Sequence, residues 1–380
     1  MPYVLGIDIA STRTTAATCV NTGDGWGAPE PSWLGAHGPA AASAVFLDGD
    51  GYLLTGDAAV EAGRSAPARL LTGFHERVGD DVPVMVGGER FPAESLSAVL
   101  VDAAVDQAAE RFGEKPRHIV LTHPVGWGSF RRELLRRALT EAGFPGAALV
   151  AAPIAALHAY LAPQGEVTAG VCEFGPDGAL VTMAAAGVNG WQPVETVEGV
   201  EPGEAVGKVF ELAHGAGIPP RALAGIVLCG DAPPVPGRTP CPVFASSDPV
   251  LTVATGAANI AARRDLPQPG SPVSNAVASV ETTLLPRVDV PGELTERPER
   301  PPVDITPFPL PERTGAAKLL SRRKPLVAGA AVVVLAATTL LLTLTTREAT
   351  ADKGPEAPPT TSSSCAPATP GVTSSPEGRC

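Results

Sequence analysis

The residues best suited to chemistry begin near the N-terminus, in Val4 to Ala17, which reads V-L-G-I-D-I-A-S-T-R-T-T-A-A. Asp8 lies inside the apolar run of Val4, Leu5, Ile7 and Ile9. Such a run reads as a buried strand, where a carboxylate is costly unless it meets a cation or several donors. Small and hydroxylated residues follow at once: Ala10, Ser11, Thr12, Thr14 and Thr15, with Arg13 among them. A tight turn of that make-up lets backbone N–H groups and hydroxyls face a phosphate. Other chemistries find less support. The cysteines show no C-x-x-C spacing and the histidines no H-E-x-x-H, so a zinc site is not expected. D-G-D-G at 48–51 starts like a calcium loop but lacks the later ligands. Cys19, Cys172, Cys229 and Cys241 read as core residues rather than nucleophiles.

Elements must hold that stretch in place. The chain of 380 residues is long enough for two lobes or two domains. Its residues are 44% hydrophobic but only 4% aromatic, so the core must be built from Ala, Val and Leu. The net charge of −12 disfavours nucleic acid as a partner. Val4 to Ile9 and Thr14 to Val20 read as a hairpin. Residues 43–59 read as strand, Asp-Gly turn and strand. Glu94 to Phe112 has helical spacing, and Gly113 is a plausible stop. His118 to Pro124 reads as a strand. Ser129 is a candidate N-cap for a helix over Phe130 to Ala142, whose arginines read as a solvated face. A strand over Ala148 to Ala151 leads into a helix over Ile154 to Leu161.

The first stretch resembles the phosphate loop of the heat-shock-70 (DnaK) chaperones, G-I-D-L-G-T-T. Gly6, Ile7, Asp8 and Thr12 fit, while Ala10 replaces a glycine and Ser11 a threonine. The order of elements over 92–161 is similar to the same part of the DnaK-type ATPase domain. The resemblance places a second phosphate loop in Val171 to Met183, where the family has D-L-G-G-G-T. This chain has Glu173 for the acid, Gly175 and Gly178 in the turn, and Pro176, which removes an N–H. Ile226 to Pro236 resembles the family's adenosine loop, with Gly230 matching and Asp231 replacing the second glycine. Thr255 to Ala262 resembles the family's closing helix. Only about forty residues separate the second loop from the third, so most of a helical subdomain should be missing.

The resemblance implies an α/β, two-lobed, actin-like (ribonuclease H-like) ATPase domain with a reduced second lobe. Lobe I would cover residues 1–165 and lobe II residues 166–264. It implies ATP bound by Asp8, Ala10, Ser11, Thr12, Arg13, Gly175, Gly178, Gly230 and Asp231, with Mg2+ held through water by Asp8 and Glu173. Ala152 stands where the family keeps a glutamate. The family's lysine beside the attacking water corresponds to one of His75, Glu76 or Arg77, which leaves His75 and Glu173 as candidates for catalysis. The expected function is a degenerate nucleotide-binding module with weak ATP binding and little hydrolysis. A slow but active ATPase and a nucleotide-free actin-like scaffold are the alternatives. A small-molecule kinase would need a base Asp in the cleft, and no convincing candidate stands out.

Residues 265–317 are dense in Pro and lack periodicity, so they read as a disordered linker. The N-terminus does not read as a signal peptide. Leu326 to Thr345 is an uncharged apolar run, which as a helix spans roughly 30 Å, the thickness of a bilayer's hydrocarbon core. It places a transmembrane helix at 326–346, and Lys318, Arg322, Arg323 and Lys324 before it put the N-terminal bulk in the cytoplasm. Residues 347–380 would form a disordered outer tail, where Cys365 and Cys380 are free to form a disulfide. The whole arrangement is similar to membrane-anchored actinobacterial proteins associated with type VII secretion. That likeness implies protein partners at the membrane, a secretion system among them. On intact cells, an impermeant thiol reagent is expected to label Cys380 after reduction and to leave Cys19 unlabelled. The opposite pattern would reverse the orientation.

Overall fold

The computed structural model describes residues 1–264 and 315–323, apart from Gly87, Ala232 and Val235. The fold is mixed α/β, with two main sheets built to one plan. The first has the strand order Ala148–Ala151, Ile119–His123, Tyr3–Ile9, Arg13–Val20, Glu30–Ser32, and Ala40–Ala42 also pairs with Arg13–Val20. Its centre is the hairpin of Tyr3–Ile9 with Arg13–Val20, and Ile119–His123 runs parallel to Tyr3–Ile9. The second has the order Gly190–Val200, Gly178–Gly187, Thr168–Gly175, Ile226–Gly230, Val243–Ala245. Again a hairpin, Thr168–Gly175 with Gly178–Gly187, has a parallel neighbour, Ile226–Gly230. Two sheets, each with a hairpin and parallel neighbours, are consistent with an ATPase-like fold.

The alternation of side chains along a strand decides what each face meets. Tyr3, Leu5, Ile7 and Ile9 point into one core, under the helices Ala93–Phe112 and Ser129–Glu141. Val4 points the other way, into a core shared by both sheets. Ala169 and Val171 of the second sheet point into that same shared core, while Cys172 and Phe174 face a separate core on that sheet's other side. The shared core is filled by the helices Ala152–Tyr160 and Thr252–Arg264 and is rich in alanine. At their crossing a Cβ on Gly256 would stand 1.7 Å from the Ala155 carbonyl oxygen. Only glycine permits that approach, and it lets the two helices pack closely between the sheets.

Several elements differ from the sequence reading. Ala44–Leu47 and Leu53–Thr55 do form a hairpin, and Asp48 closes its turn by accepting from Asp50 and Tyr52 N–H groups. The residues beyond it do not continue the strand. Gly56 takes φ +65°, and Gly56–Gly63 is a helix. Ser129 is the first helical residue rather than the cap, which is the extended Gly128. Gly190–Val200 is a strand that the sequence reading lacks. Between it and Ile226–Gly230 the chain forms the helix Ala205–Gly215 and short 3-10 turns.

Residues 315–323 return to the core beneath the first sheet. Ala316 and Leu319 are fully buried in it. The Glu141 carboxylate accepts the Ala316 N–H at 3.1 Å, and the Leu53 N–H donates to the Arg322 carbonyl at 2.8 Å. Arg322 grips both oxygens of Glu89 at 2.8 and 3.1 Å, and Arg323 pairs with Asp102 at 2.6 Å and with Asp106. Residues 315–317, read as the end of the linker, therefore belong to the folded body. Among the described residues no helix is long and apolar enough to cross a membrane. The apolar run at 326–345, Cys365 and Cys380 lie outside the described residues.

Leu319→Ala is expected to lower the unfolding free energy of the chain by about 2–3 kcal/mol, the loss typical of a fully buried leucine. Denaturant unfolding measures it. A change below about 0.5 kcal/mol would mean that the returning segment adds nothing to the fold.

Candidate functional site

Asp8 follows Val4 and Gly6 on one face of its strand, and Glu173 follows Ala169 and Val171 on one face of its own. The two-residue repeat therefore aims both carboxyl groups at the space between the sheets. Both sit near the carboxyl ends of their strands, where open α/β sheets leave a crevice. A cavity of about 370 Å³ lies there. The first loop lines it with Asp8, Ala10, Ser11, Thr12 and Arg13, the second with Glu173, Gly175 and Gly178, and the third with Gly230 and Asp231. All the candidate binding residues thus meet in one place.

Local bonds shape each loop. The Ala10 N–H donates to the Arg13 carbonyl at 2.9 Å and closes the first turn. The Thr14 hydroxyl turns away to Ser43, at 2.9 Å, while Thr15 lines the cavity with a buried hydroxyl that has no partner. Gly175 pairs with Gly178, so the second turn is Pro176-Asp177. Pro176 lines the cavity and offers no N–H. Gly230 takes φ +89°, and a Cβ there would stand 2.2 Å from the Phe174 carbonyl oxygen. That same oxygen accepts the Asp231 N–H at 2.7 Å, which ties the third loop to the second.

The electrostatics centre on the two acids. Burial pushes the Asp8 carboxyl up to about 6, against the opposing effect of a hydrogen bond from the Thr122 hydroxyl. Burial and then the charge of Asp8 push Glu173 up to about 8. Glu173 Oε2 is buried and has no hydrogen-bond partner. Two carboxyls short of counter-charge, one with an orphaned oxygen, in a cavity that the orphaned Thr15 hydroxyl also lines, form a donor set suited to a hard cation. Mg2+ keeps most of its waters and takes one or two carboxylates, so this donor set fits it through water. Among the described residues no cluster of three or more His, Cys, Asp or Glu could hold a metal directly. The described lining carries six carboxylates, Asp8, Glu76, Glu173, Asp177, Glu198 and Asp231, against one cation, Arg13.

His75 is not brought to the site. Its side chain is buried in the first lobe, against the Trp127 ring at 4.9 Å. The Ser97 hydroxyl donates to the Ala93 carbonyl, so His75 Nδ1 donates to that hydroxyl at 2.9 Å. Burial, and then His123, push its pKa down to about 3, which keeps it neutral. The next residue, Glu76, lines the cavity instead, and Arg77 pairs with Asp80. Ala152 opens the helix Ala152–Tyr160 and lies outside the described lining. Thr122 escaped the sequence reading. Its signal was the parallel register of Ile7 with Leu121, which sets the next residues of the two strands side by side.

No protein-family model matches the chain. Curated relatives do. The chain is similar to the DnaK chaperones. The chaperone protein DnaK of Elusimicrobium minutum is 29% identical over 160 residues, 42% of this chain and 26% of that protein. That of Methanothermobacter thermautotrophicus is 29% identical over 161 residues, 41% of this chain and 26% of that protein. That of Thermoplasma acidophilum is 26% identical over 160 residues, with 42% of this chain and 26% of that protein covered. The chain thus spans about a quarter of the length of the curated relatives it matches. The similarity supports a heat-shock-70-like, DnaK-type assignment for the matched region.

The raised acids set a pH dependence. Asp8 and Glu173 bind protons more tightly folded than unfolded, since their ordinary values are 3.8 and 4.5. Between those values and about 6 and about 8 the folded state holds more protons, so stability falls as pH rises through that window. Glu173→Gln removes the larger shift. In metal-free buffer it is expected to stabilise the chain at pH 8.5 and to change little at pH 4.5, read by denaturant unfolding. An equal effect at both pH values would show that Glu173 is not held proton-bound in the fold.

Proposed function

We propose that the chain is a DnaK-like nucleotide-binding module with a two-lobed, actin-like fold and a reduced second lobe, which binds Mg-ATP weakly and hydrolyses it little or not at all. One observation carries this reading: three loops from two sheets converge on a single cleft with Asp8 and Glu173 at its base. In the reading, Asp8 and Glu173 hold the waters of Mg2+, and the first and second loops meet the phosphates. Bound Mg2+ would neutralise phosphate charge and polarise the terminal phosphate. Thr122 orients Asp8 for that task.

The same lining argues for weakness. Pro176 donates no N–H and Glu173 is one methylene longer than the family's aspartate, while Ala152, where the family keeps a glutamate, lies outside the described lining. The excess of carboxylates repels a bare polyphosphate, so binding should depend on the cation. Catalysis suffers more than binding, because the groups that position metal, water and phosphate act as a unit. Glu76 in the lining favours the second reading, a slow ATPase, because its carboxylate could orient a water. By proposal, too, the body is anchored through the apolar run at 326–346, N-terminus in the cytoplasm, and acts through protein partners at the membrane, with a secretion system as a candidate.

A fluorescent ATP analogue titrated into the full chain, with Mg2+ and then with chelator, is the test. Binding is expected only with Mg2+, and Asp8→Ala should weaken it at least tenfold. Turnover should lie a hundredfold or more below that of a DnaK assayed beside it, since one lost oriented donor alone costs about 2.7–4 kcal/mol. Turnover equal to DnaK and abolished by Asp8→Ala would establish the ATPase reading instead. Binding indifferent to Asp8→Ala would put the nucleotide elsewhere.

A further inference from the structure

Arg13 and Asp231 form an ion pair although 218 residues separate them. Arg13 belongs to the first lobe's loop and Asp231 to the loop after the second lobe's strand Ile226–Gly230, so the pair bridges the cleft. Both backbones are fixed. Arg13 pairs with Ala42 in the first sheet and its carbonyl accepts from Ala10. Asp231 is tied to Phe174 through its N–H, directly after the tightly packed Gly230. The two side chains are 40% and 36% exposed, so the pair sits at the mouth, within reach of an entering ligand. Arg13 is also the one cation of the described lining, and Asp231 already occupies it.

We infer that Arg13 is the phosphate-binding cation of this cleft and that Asp231 is its built-in competitor, a carboxylate that an incoming polyphosphate must displace. The inference rests on the nucleotide reading above. A guanidinium forks onto a carboxylate or a phosphate with the same donors, so it cannot serve both fully at once. While Asp231 holds Arg13 through Nη2, the two loops are tied together and the one positive charge of the described lining is offset. When phosphate takes Arg13, Asp231 is released and the tie between the loops is lost. Nucleotide entry and cleft opening are therefore coupled, and the affinity for any polyphosphate is lowered by the strength of the pair. Asp231 acts through Arg13; it need not touch the ligand.

The test is a cycle of Arg13→Gln, Asp231→Asn and the double variant in the full chain. The probes are Mg-ATP and magnesium tripolyphosphate, with binding followed by calorimetry. Denaturation midpoints of the same four proteins, without ligand, report the pair independently. Asp231→Asn is expected to tighten both probes roughly two- to fivefold, the change that releasing a half-exposed ion pair corresponds to. Arg13→Gln should weaken both, and in its background Asp231→Asn should lose its effect. A gain that persists without Arg13 would overturn the inference, because Asp231 would then act as bare charge. So would no gain at all in a chain that binds Mg-ATP through Asp8. If no variant binds either probe, the nucleotide reading fails and the gate with it. The midpoints then still tell whether the clamp exists. Non-additive midpoints mean a purely structural tie, and additive ones mean that the pair does not form.

Discussion

Two carboxyl groups share the base of one cleft without a counter-charge against them, and the rest of the structure is arranged around that fact. Asp8 and Glu173 end up together because each occupies the same phase of a strand whose other residues on that face feed the shared core. Shifting either hairpin by one residue would turn its acid into a lobe's private core, where nothing could pair with it. The register is protected by burial on both faces: Tyr3, Leu5 and Ile7 on one side, Val4 on the other, all fully buried. Thr122 relieves Asp8 in part. Nothing among the described residues relieves Glu173 Oε2. A proton or a cation must do so, and the protein's own acid-base equilibrium supplies the proton near neutral pH.

The composition of the shared core follows from the same demand. To set two sheets around one cleft, two helices must fit between them and cross closely. Alanine at 155, 156, 254, 257, 258 and 261, all fully buried, leaves room for this, and Gly256 removes the last methyl at the crossing. A chain with more aromatic residues would have built a thicker layer here and held the loops apart. The price is a core with little apolar area per residue. The first lobe compensates with larger residues, and it recruits Ala316 and Leu319 from beyond residue 264.

What was legible in the sequence, and what was not, divides along physical lines. The hairpins and the helix Ala93–Phe112 were legible because burial imposes a period, and a period is visible without a structure. The strand Gly190–Val200 was not. It lies at a sheet edge, its middle is exposed, and Gln192, Pro193, Val194 and Glu195 carry no alternation. The helix Gly56–Gly63 followed two strands so directly that the positive φ of Gly56 was the only break. The returning segment 315–323 was hidden by the Pro-rich composition before it. Its docking depends on Glu89, Asp102, Asp106 and Glu141, which are distant in sequence. In the site, the three loops could be read from motif and spacing. His75 was misplaced because a resemblance good to about one residue cannot tell which side of a short turn faces the cleft. Burial of Phe74 and His75 turned that face inward and left Glu76 on the cavity side.

The balance of charge in the lining separates holding a nucleotide from turning it over. Phosphate oxygens brought into a space with six acidic groups, of which Glu173 keeps its proton near neutral pH, and one guanidinium meet net repulsion unless a divalent cation comes with them. In the proposed reading a bound cation would turn Asp8 and Glu173 from a liability into ligands for its waters, because its charge would offset the cost of burying theirs. Holding then needs only the cation and whatever backbone donors remain in the loops. Turnover needs more: the cation fixed to a fraction of an ångström, a water aligned with the terminal phosphate, and donors placed for charge that appears only in the transition state. In the proposed reading a longer acid at 173 and a proline at 176 loosen these requirements. In that reading they leave the first requirement partly intact and the second largely unmet.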